Sequence, residues 1–131
     1  MYEELKPDGS TKMVGTIMDI YHQSRLKKRS EIDDEFTRDV WSVLDAAGNL
    51  LIAKHHDYGP LNIARSPGGP INGLRVRMWD KVARINNLVD NNVTPSNESL
   101  RDSFVDLLNY SAIALMVLDG KWPEVPTLDC E

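Results

Sequence analysis

Apolar side chains recur every three to four residues in four stretches of this chain, and that spacing predicts helices. Residues 13–29 place Met13, Ile17, Ile20 or Tyr21, and Ser24 on one side. They end in Arg25, Lys27, Lys28 and Arg29, which suit the negative end of a helix and face water. Residues 35–55 repeat Phe36, Val40, Leu44, Ala47 and Leu51, with Asp33 or Asp34 as N-cap. Trp41, Val43, Leu50 and Ile52 widen that face, predicting a helix buried on much of its surface, with Gly48 marking a close helix contact. Residues 73–89 carry Leu74, Met78, Val82, Ile85 and Val89 behind an N-cap at Asn72. Residues 98–118 put Leu100, Phe104, Leu107, Ser111, Leu115 and Leu118 on a predicted core side, and the last three turns are apolar all round. No alternation of period two is long enough to predict a sheet.

The polar positions of the last two helices form rows. Glu98, Asp102, Asp106 and Asn109 fall in one narrow stripe, and Arg77, Asp80, Lys81, Arg84 and Asn87 in another. The short turn at residues 90–96 makes these helices antiparallel neighbours, so that Asp80 approaches Asp102 or Asp106. Three carboxylates on one line of a mostly buried helix repel each other unless a cation sits among them. A divalent metal flanked by arginines and lysines is the sharp expectation. The plain alternative is a solvated edge laced with ion pairs worth tenths of a kcal/mol each.

Between the second and third helices, residues 57–73 hold four glycines and three prolines and predict no long regular element. Tyr58, Leu61, Asn62, Ile63 and Arg65 give this segment hooks for packing, so an ordered loop across a pocket is expected. Residues 1–12 read as a loose arm. Gly120 reads as a helix stop, and residues 121–131 as a surface tail with Trp122 tucked in.

The totals narrow the class. With 131 residues, 41% hydrophobic and 27% charged, the chain is one soluble globular domain. A net charge of −5 argues against a general nucleic-acid coat or a membrane-surface protein, so neither direct nucleic-acid binding nor membrane contact is expected. No apolar run approaches the ~20 residues of a membrane span, and no signal-peptide pattern opens the chain. The single cysteine, Cys130, fits a reducing, cytoplasmic setting.

His22, His55 and His56 lack zinc-ligand spacing, and neither a phosphate-binding G-x-x-x-x-G-K-[ST] loop nor a G-x-S-x-G elbow occurs. Carboxylates on helices suit Mg²⁺, or Mn²⁺, with phosphates filling the remaining coordination positions. The expected chemistry is metal-assisted handling of a phosphorylated small molecule.

Three ordered motifs carry a resemblance. K-x-x-D-Y-G-x-x-N comprises Lys54, Asp57, Tyr58, Gly59 and Asn62, and R-x-x-D-K-x-x-R comprises Arg77, Asp80, Lys81 and Arg84. E-S-x-x-D-x-x-x-D-x-x-N-Y runs from Glu98 to Tyr110. Together they resemble the phage and bacterial nucleotide modification associated domain, a family linked to phage nucleotide and base-modification systems. The plan is also similar to MazG-like all-α nucleoside triphosphate pyrophosphohydrolases, magnesium-dependent helical oligomers that release NMP and pyrophosphate. Those enzymes pair an E-x-x-E helix with an E-x-x-D helix, whereas here Arg77 stands where an acid would precede Asp80, and the second motif is E-x-x-x-D.

These resemblances imply an all-α bundle of about four helices, a homodimer or larger, in the host cytoplasm if phage-encoded. They imply a Mg²⁺-dependent (deoxy)nucleoside triphosphate pyrophosphohydrolase, or else a non-catalytic nucleotide-binding or interaction subunit of a DNA-modification system. Asp80, Glu98 and Asp102 would hold the metal, and Asp106 and Lys81 would act in catalysis, Asp106 as ligand or as orienter of water. Lys81 would also hold phosphates with Arg77 and Arg84. Lys54, Asp57, Tyr58 and Asn62 would recognise base or sugar, with Asn109 completing the substrate-binding set.

Overall fold

The computed structural model describes residues 2–5, 11–14 and 34–125. In order, these form β1 (Tyr2–Leu5), β2 (Thr11–Val14), α1 (Glu35–Tyr58), α2 (Leu61–Ala64), α3 (Pro70–Asp90) and α4 (Leu100–Leu118). The fold is an all-α bundle with one small hairpin at its start. The chain divides into two compact units, Met1–Ser42 and Val43–Glu131, and α1 runs through the division.

In the first unit, β1 and β2 pair antiparallel with Tyr2 opposite Val14 and Leu5 opposite Thr11. This corrects the loose arm expected at residues 1–12 and the start of the helix expected at Met13. Four residues per strand are too few for alternation to register as a pattern. The rest of that expected helix, residues 15–29, lies outside the described residues. Asp34 caps α1 by accepting from the Thr37 backbone N–H at 3.0 Å and from its hydroxyl. These two bonds hold the Asp34 carboxyl below its ordinary range. Of the two caps the sequence allowed, Asp33 lies outside the described residues.

In the second unit the glycine- and proline-rich stretch is more regular than its composition implied. α1 continues to Tyr58, α2 makes one turn, and α3 begins at Pro70, earlier than expected. Proline at the first helical position lacks only an N–H that would have no helical partner there, so Gly69 is the N-cap and Asn72 lies inside the helix. The core is built from Ile63, Leu74, Ile113 and Trp122, packed by Leu51, Ala64, Tyr110, Ala114, Met116, Val117 and Val125. Trp122 is buried as expected, and its indole N–H donates to the Pro60 carbonyl at 3.1 Å. Residues 126–131 of the expected tail lie outside the described residues. α4 stops as expected: Gly120 takes φ +69°, and the N–H groups of Lys121 and Gly120 return to the carbonyls of Met116 and Val117.

α4 presents the opposite face to the one its apolar spacing indicated. Ser103, Asp106, Asn109 and Ile113 are buried, while Phe104, Leu115 and Leu118 of the expected core stripe are more than half exposed. On α3, Leu74 is buried as expected, but Leu88 rather than Val89 is buried at the C-terminal end. On α1, Ala47 is buried, whereas Phe36, Val40, Val43, Leu44, Leu50 and Ile52 are exposed, against the expectation of a largely buried helix.

The close helix contact expected at Gly48 is absent, and the tight glycine is Gly73, which faces Ser66 in the segment between α2 and α3. A Cβ at Gly48 would meet nothing within 4 Å, but one at Gly73 would overlap the Ser66 side chain. Ser66 has little room to yield, because it is buried and its hydroxyl donates to the Asn62 carbonyl at 2.7 Å. Gly73→Ala is therefore expected to destabilise by about 1–3 kcal/mol through overpacking. Gly48→Ala should stabilise by about 0.5–1 kcal/mol through helix propensity. Urea unfolding midpoints moving in opposite directions would bear this out; midpoints moving together would refute it.

Candidate functional site

The site starts from a carboxylate that α4 carries into the interior. Asp106 is 12% exposed at its side chain, and two lysines meet its two oxygens. Lys81 Nζ lies 2.8 Å from Oδ2, and Lys54 Nζ lies 3.2 Å from Oδ1. Lys81 also reaches Glu98 Oε2 at 3.2 Å, so its ammonium sits between two acids. The basic row of α3 and the acidic row of α4 thus face each other. As expected, the two helices run antiparallel, with Arg84 near Ser99 and Ser103, and Lys81 one turn along at Asp106.

Their electrostatics follow from burial and pairing. Burial pushes the Asp106 carboxyl up, but hydrogen bonds from Lys81 and Lys54 outweigh it and hold the group below the usual carboxylate range. The bond to Asp106 raises Lys81, against a smaller lowering by burial and with help from Glu98. Lys54 differs from Lys81 in access: its side chain is 48% exposed, against 19% for Lys81. Of the two ammonium groups on Asp106, that of Lys54 is therefore the more open to solvent.

Other expected residues have structural partners. Asp102 closes a capping box with Ser99, accepting its backbone N–H at 2.9 Å while Ser99 Oγ accepts from the Asp102 N–H at 3.1 Å. This bonding lowers the Asp102 pKa. Glu98 precedes the cap rather than standing in the first turn. Arg84 donates to Ser103 Oγ at 2.6 Å and to the carbonyls of Ser99 and Glu98, tying down the start of α4. Asn109 donates to the Ala47 carbonyl at 3.0 Å, joining α4 to α1. Asp80 and Asp57 are exposed, and it is Lys81, about 100° round α3 from Asp80, that reaches Asp106.

Beside this ion cluster lies a pocket of about 160 Å³. Lys54, Asn62, Arg77, Asp106 and Asn109 supply its polar lining; Leu51, Ile63 and Ile113 supply aliphatic surface; and Tyr58, Tyr110, His55 and Trp122 supply rings. Arg77 donates to the Asn62 carbonyl at 3.2 Å and so fixes α2 against α3. The His55 and Trp122 rings meet edge to face, with centroids 5.2 Å apart at 74°. His55, Tyr110 and the wall formed by Trp122 were not assigned to the site from the sequence. His55 follows Lys54 and shares a helix face with Leu51 and Tyr58, a signal that its unsuitability as a zinc ligand obscured.

The carboxylates as arranged do not fit a resident divalent ion. Asp102 is engaged in its cap, Glu98 and Asp106 are bridged by lysine, and Asp80 is exposed. Among the described residues no group of three or more His, Cys, Asp or Glu side chains is gathered to hold a metal. Likewise, no helix among them is long and apolar enough to cross a membrane.

Residues 54–118, just under half of the chain, match the model of a family described as nucleotide modification associated domain 1. The matched span runs from Lys54 to the end of α4 and takes in the ion cluster and most of the pocket, Leu51 and Trp122 excepted. It supports the resemblance carried by the three motifs. Comparison with curated proteins and with solved structures gives no match.

The pKa shifts fix the direction of a pH effect. Asp106 is lowered from 3.8, so its stabilisation is present above that value and is lost as pH falls through the folded-state pKa. Lys81 is raised from 10.5, so its stabilisation is complete below that value and is lost only as pH rises through the higher folded pKa. Asp106→Asn should cost on the order of 3 kcal/mol at neutral pH, because two lysines are left facing a neutral amide. The gap to wild type should narrow in strong acid, as wild-type Asp106 protonates. Urea unfolding at neutral and acid pH measures this, and a gap that stays constant or widens in acid would contradict it.

Proposed function

We propose, with the family match of residues 54–118 as premise, that this chain binds a nucleotide in the pocket beside Asp106. The observation that carries the reading is that cationic side chains and aromatic rings line one pocket. Lys54, Arg77 and Asp106 line the same pocket as the rings of Tyr58, Tyr110, His55 and Trp122. A nucleotide has the matching halves, a polyanion and a flat heteroaromatic ring. The cleft is smaller than the ~300 Å³ at which whole-ligand pockets begin, so it takes the base, and the phosphates lie outside at the lysine.

In this reading the protein is a nucleotide-binding component of a nucleotide or base modification system. The hydrolytic alternative, a Mg²⁺-dependent pyrophosphohydrolase, draws on the two carboxylates that flank the Lys81 ammonium. It requires an ion that Asp80, Glu98 and Asp102 do not gather to hold. Mg²⁺ or Mn²⁺ enters our reading only as the companion of a bound triphosphate. Self-association belongs to the same proposal. Leu44, Leu50 and Ile52 on α1, Val76 and Trp79 on α3, and Phe104, Leu115 and Leu118 on α4 remain exposed, as at an interface between copies. Sedimentation showing only monomer at micromolar concentrations would remove that part.

Titration calorimetry with deoxynucleoside triphosphates and Mg²⁺ tests the main reading, with product analysis for dNMP and pyrophosphate alongside. Binding without turnover is the expected result, and Lys54→Ala should weaken it roughly tenfold, about 1.4 kcal/mol. Turnover would move the assignment to the hydrolase. Absence of binding with every nucleotide would end the nucleotide reading.

A further inference from the structure

Two residues that line the pocket carry polar atoms that the ion cluster does not explain. Both His55 Nδ1 and Asn62 Oδ1 are buried, and neither has a hydrogen-bond partner. Such atoms are rare in folded proteins and call for a specific explanation. Both residues line the same cleft, His55 from α1 and Asn62 from α2. Around them, Ile63 and Ile113 offer apolar surface and Trp122 an aromatic wall.

We infer that this cleft is a pyrimidine pocket: a single six-membered heteroaromatic ring enters it and meets His55 and Asn62 with its hydrogen-bonding edge. The inference rests on the nucleotide reading and names the base that reading leaves open. Size is the first argument. A cavity of roughly 150 Å³ accommodates one benzene ring, and this pocket measures about 160 Å³. A fused purine bicycle needs more room than one ring, and Ile63 and Ile113, which line the cleft, belong to the core.

Chemistry is the second argument. An amide oxygen only accepts, so Asn62 Oδ1 requires an N–H from the ligand, while an imidazole nitrogen donates or accepts according to its tautomer. Cytosine offers its amino group beside ring N3, and thymine or uracil offers N3–H beside a carbonyl. Each edge gives a donor for Asn62 and an adjacent acceptor for His55. The sugar and phosphates then leave through the mouth toward Lys54, whose ammonium is the accessible one of the pair on Asp106.

Calorimetry with dCTP, dTTP, dATP, dGTP and tripolyphosphate tests this directly. Both pyrimidine nucleotides should bind at least tenfold tighter than either purine nucleotide, and tripolyphosphate should bind more weakly than dCTP. Asn62→Leu, similar in size but without the acceptor, should weaken dCTP and dTTP at least tenfold and leave tripolyphosphate unchanged. A second probe is independent of that variant's folding: on the wild-type protein, a dTTP analogue methylated at N3 should bind at least tenfold more weakly than dTTP. Purines binding as tightly as pyrimidines, or N3-methylation without effect, would overturn the pyrimidine pocket while leaving nucleotide binding standing. Failure of all nucleotides to bind would instead strike the underlying reading.

Discussion

A carboxylate held inside the second unit by two ammonium groups sets the arrangement of its helices. Removing a carboxylate from water is costly unless it is paired and hydrogen-bonded. Asp106 meets that condition only if α4 turns its polar line toward α3 and α1, because Lys81 comes from one and Lys54 from the other. Asn109, one turn further on, is drawn to the Ala47 carbonyl by the same rotation. The cost of the rotation appears on the opposite side of α4, where Phe104, Leu115 and Leu118 face outward.

Much of this was legible in the sequence. α1, α3 and α4 lie where apolar spacing placed helices, with ends displaced by a few residues, and the facing acidic and basic rows on antiparallel helices follow from Glu98–Asp106 and Arg77–Arg84. The buried face of α4 was not legible, because hydrophobic periodicity assumes that the apolar stripe points inward. That assumption fails when a buried ion pair competes for the same face. Asp102 illustrates a second limit: an acid three residues after a serine serves a capping box or a metal equally well by spacing, and only the bond to the Ser99 N–H decides. Asp80 and Lys81 illustrate a third, since adjacent residues on a helix point about 100° apart.

The pocket escaped the sequence for a different reason. Its polar groups come from helices far apart in the chain; of its walls, His55 and Trp122 carry no motif signal of their own, and Tyr110 closes a motif that gave it no role. They meet because Trp122 is pinned to the Pro60 carbonyl and Arg77 to the Asn62 carbonyl, which hold α2 and the segment after α4 around one cleft. A composition that reads as an irregular loop supplies, in the fold, part of the lining of the cleft.

The account depends on Lys81 and Asp106 being a true coupled pair inside the fold rather than two neighbours at a wet surface. A double-mutant cycle in urea unfolding, using Lys81→Met, Asp106→Leu and the combination, isolates their interaction from the effects of each side chain alone. The predicted coupling is above about 1.5 kcal/mol, within the range of contacting buried residues. A coupling below about 0.5 kcal/mol, the level of an exposed pair, would contradict it.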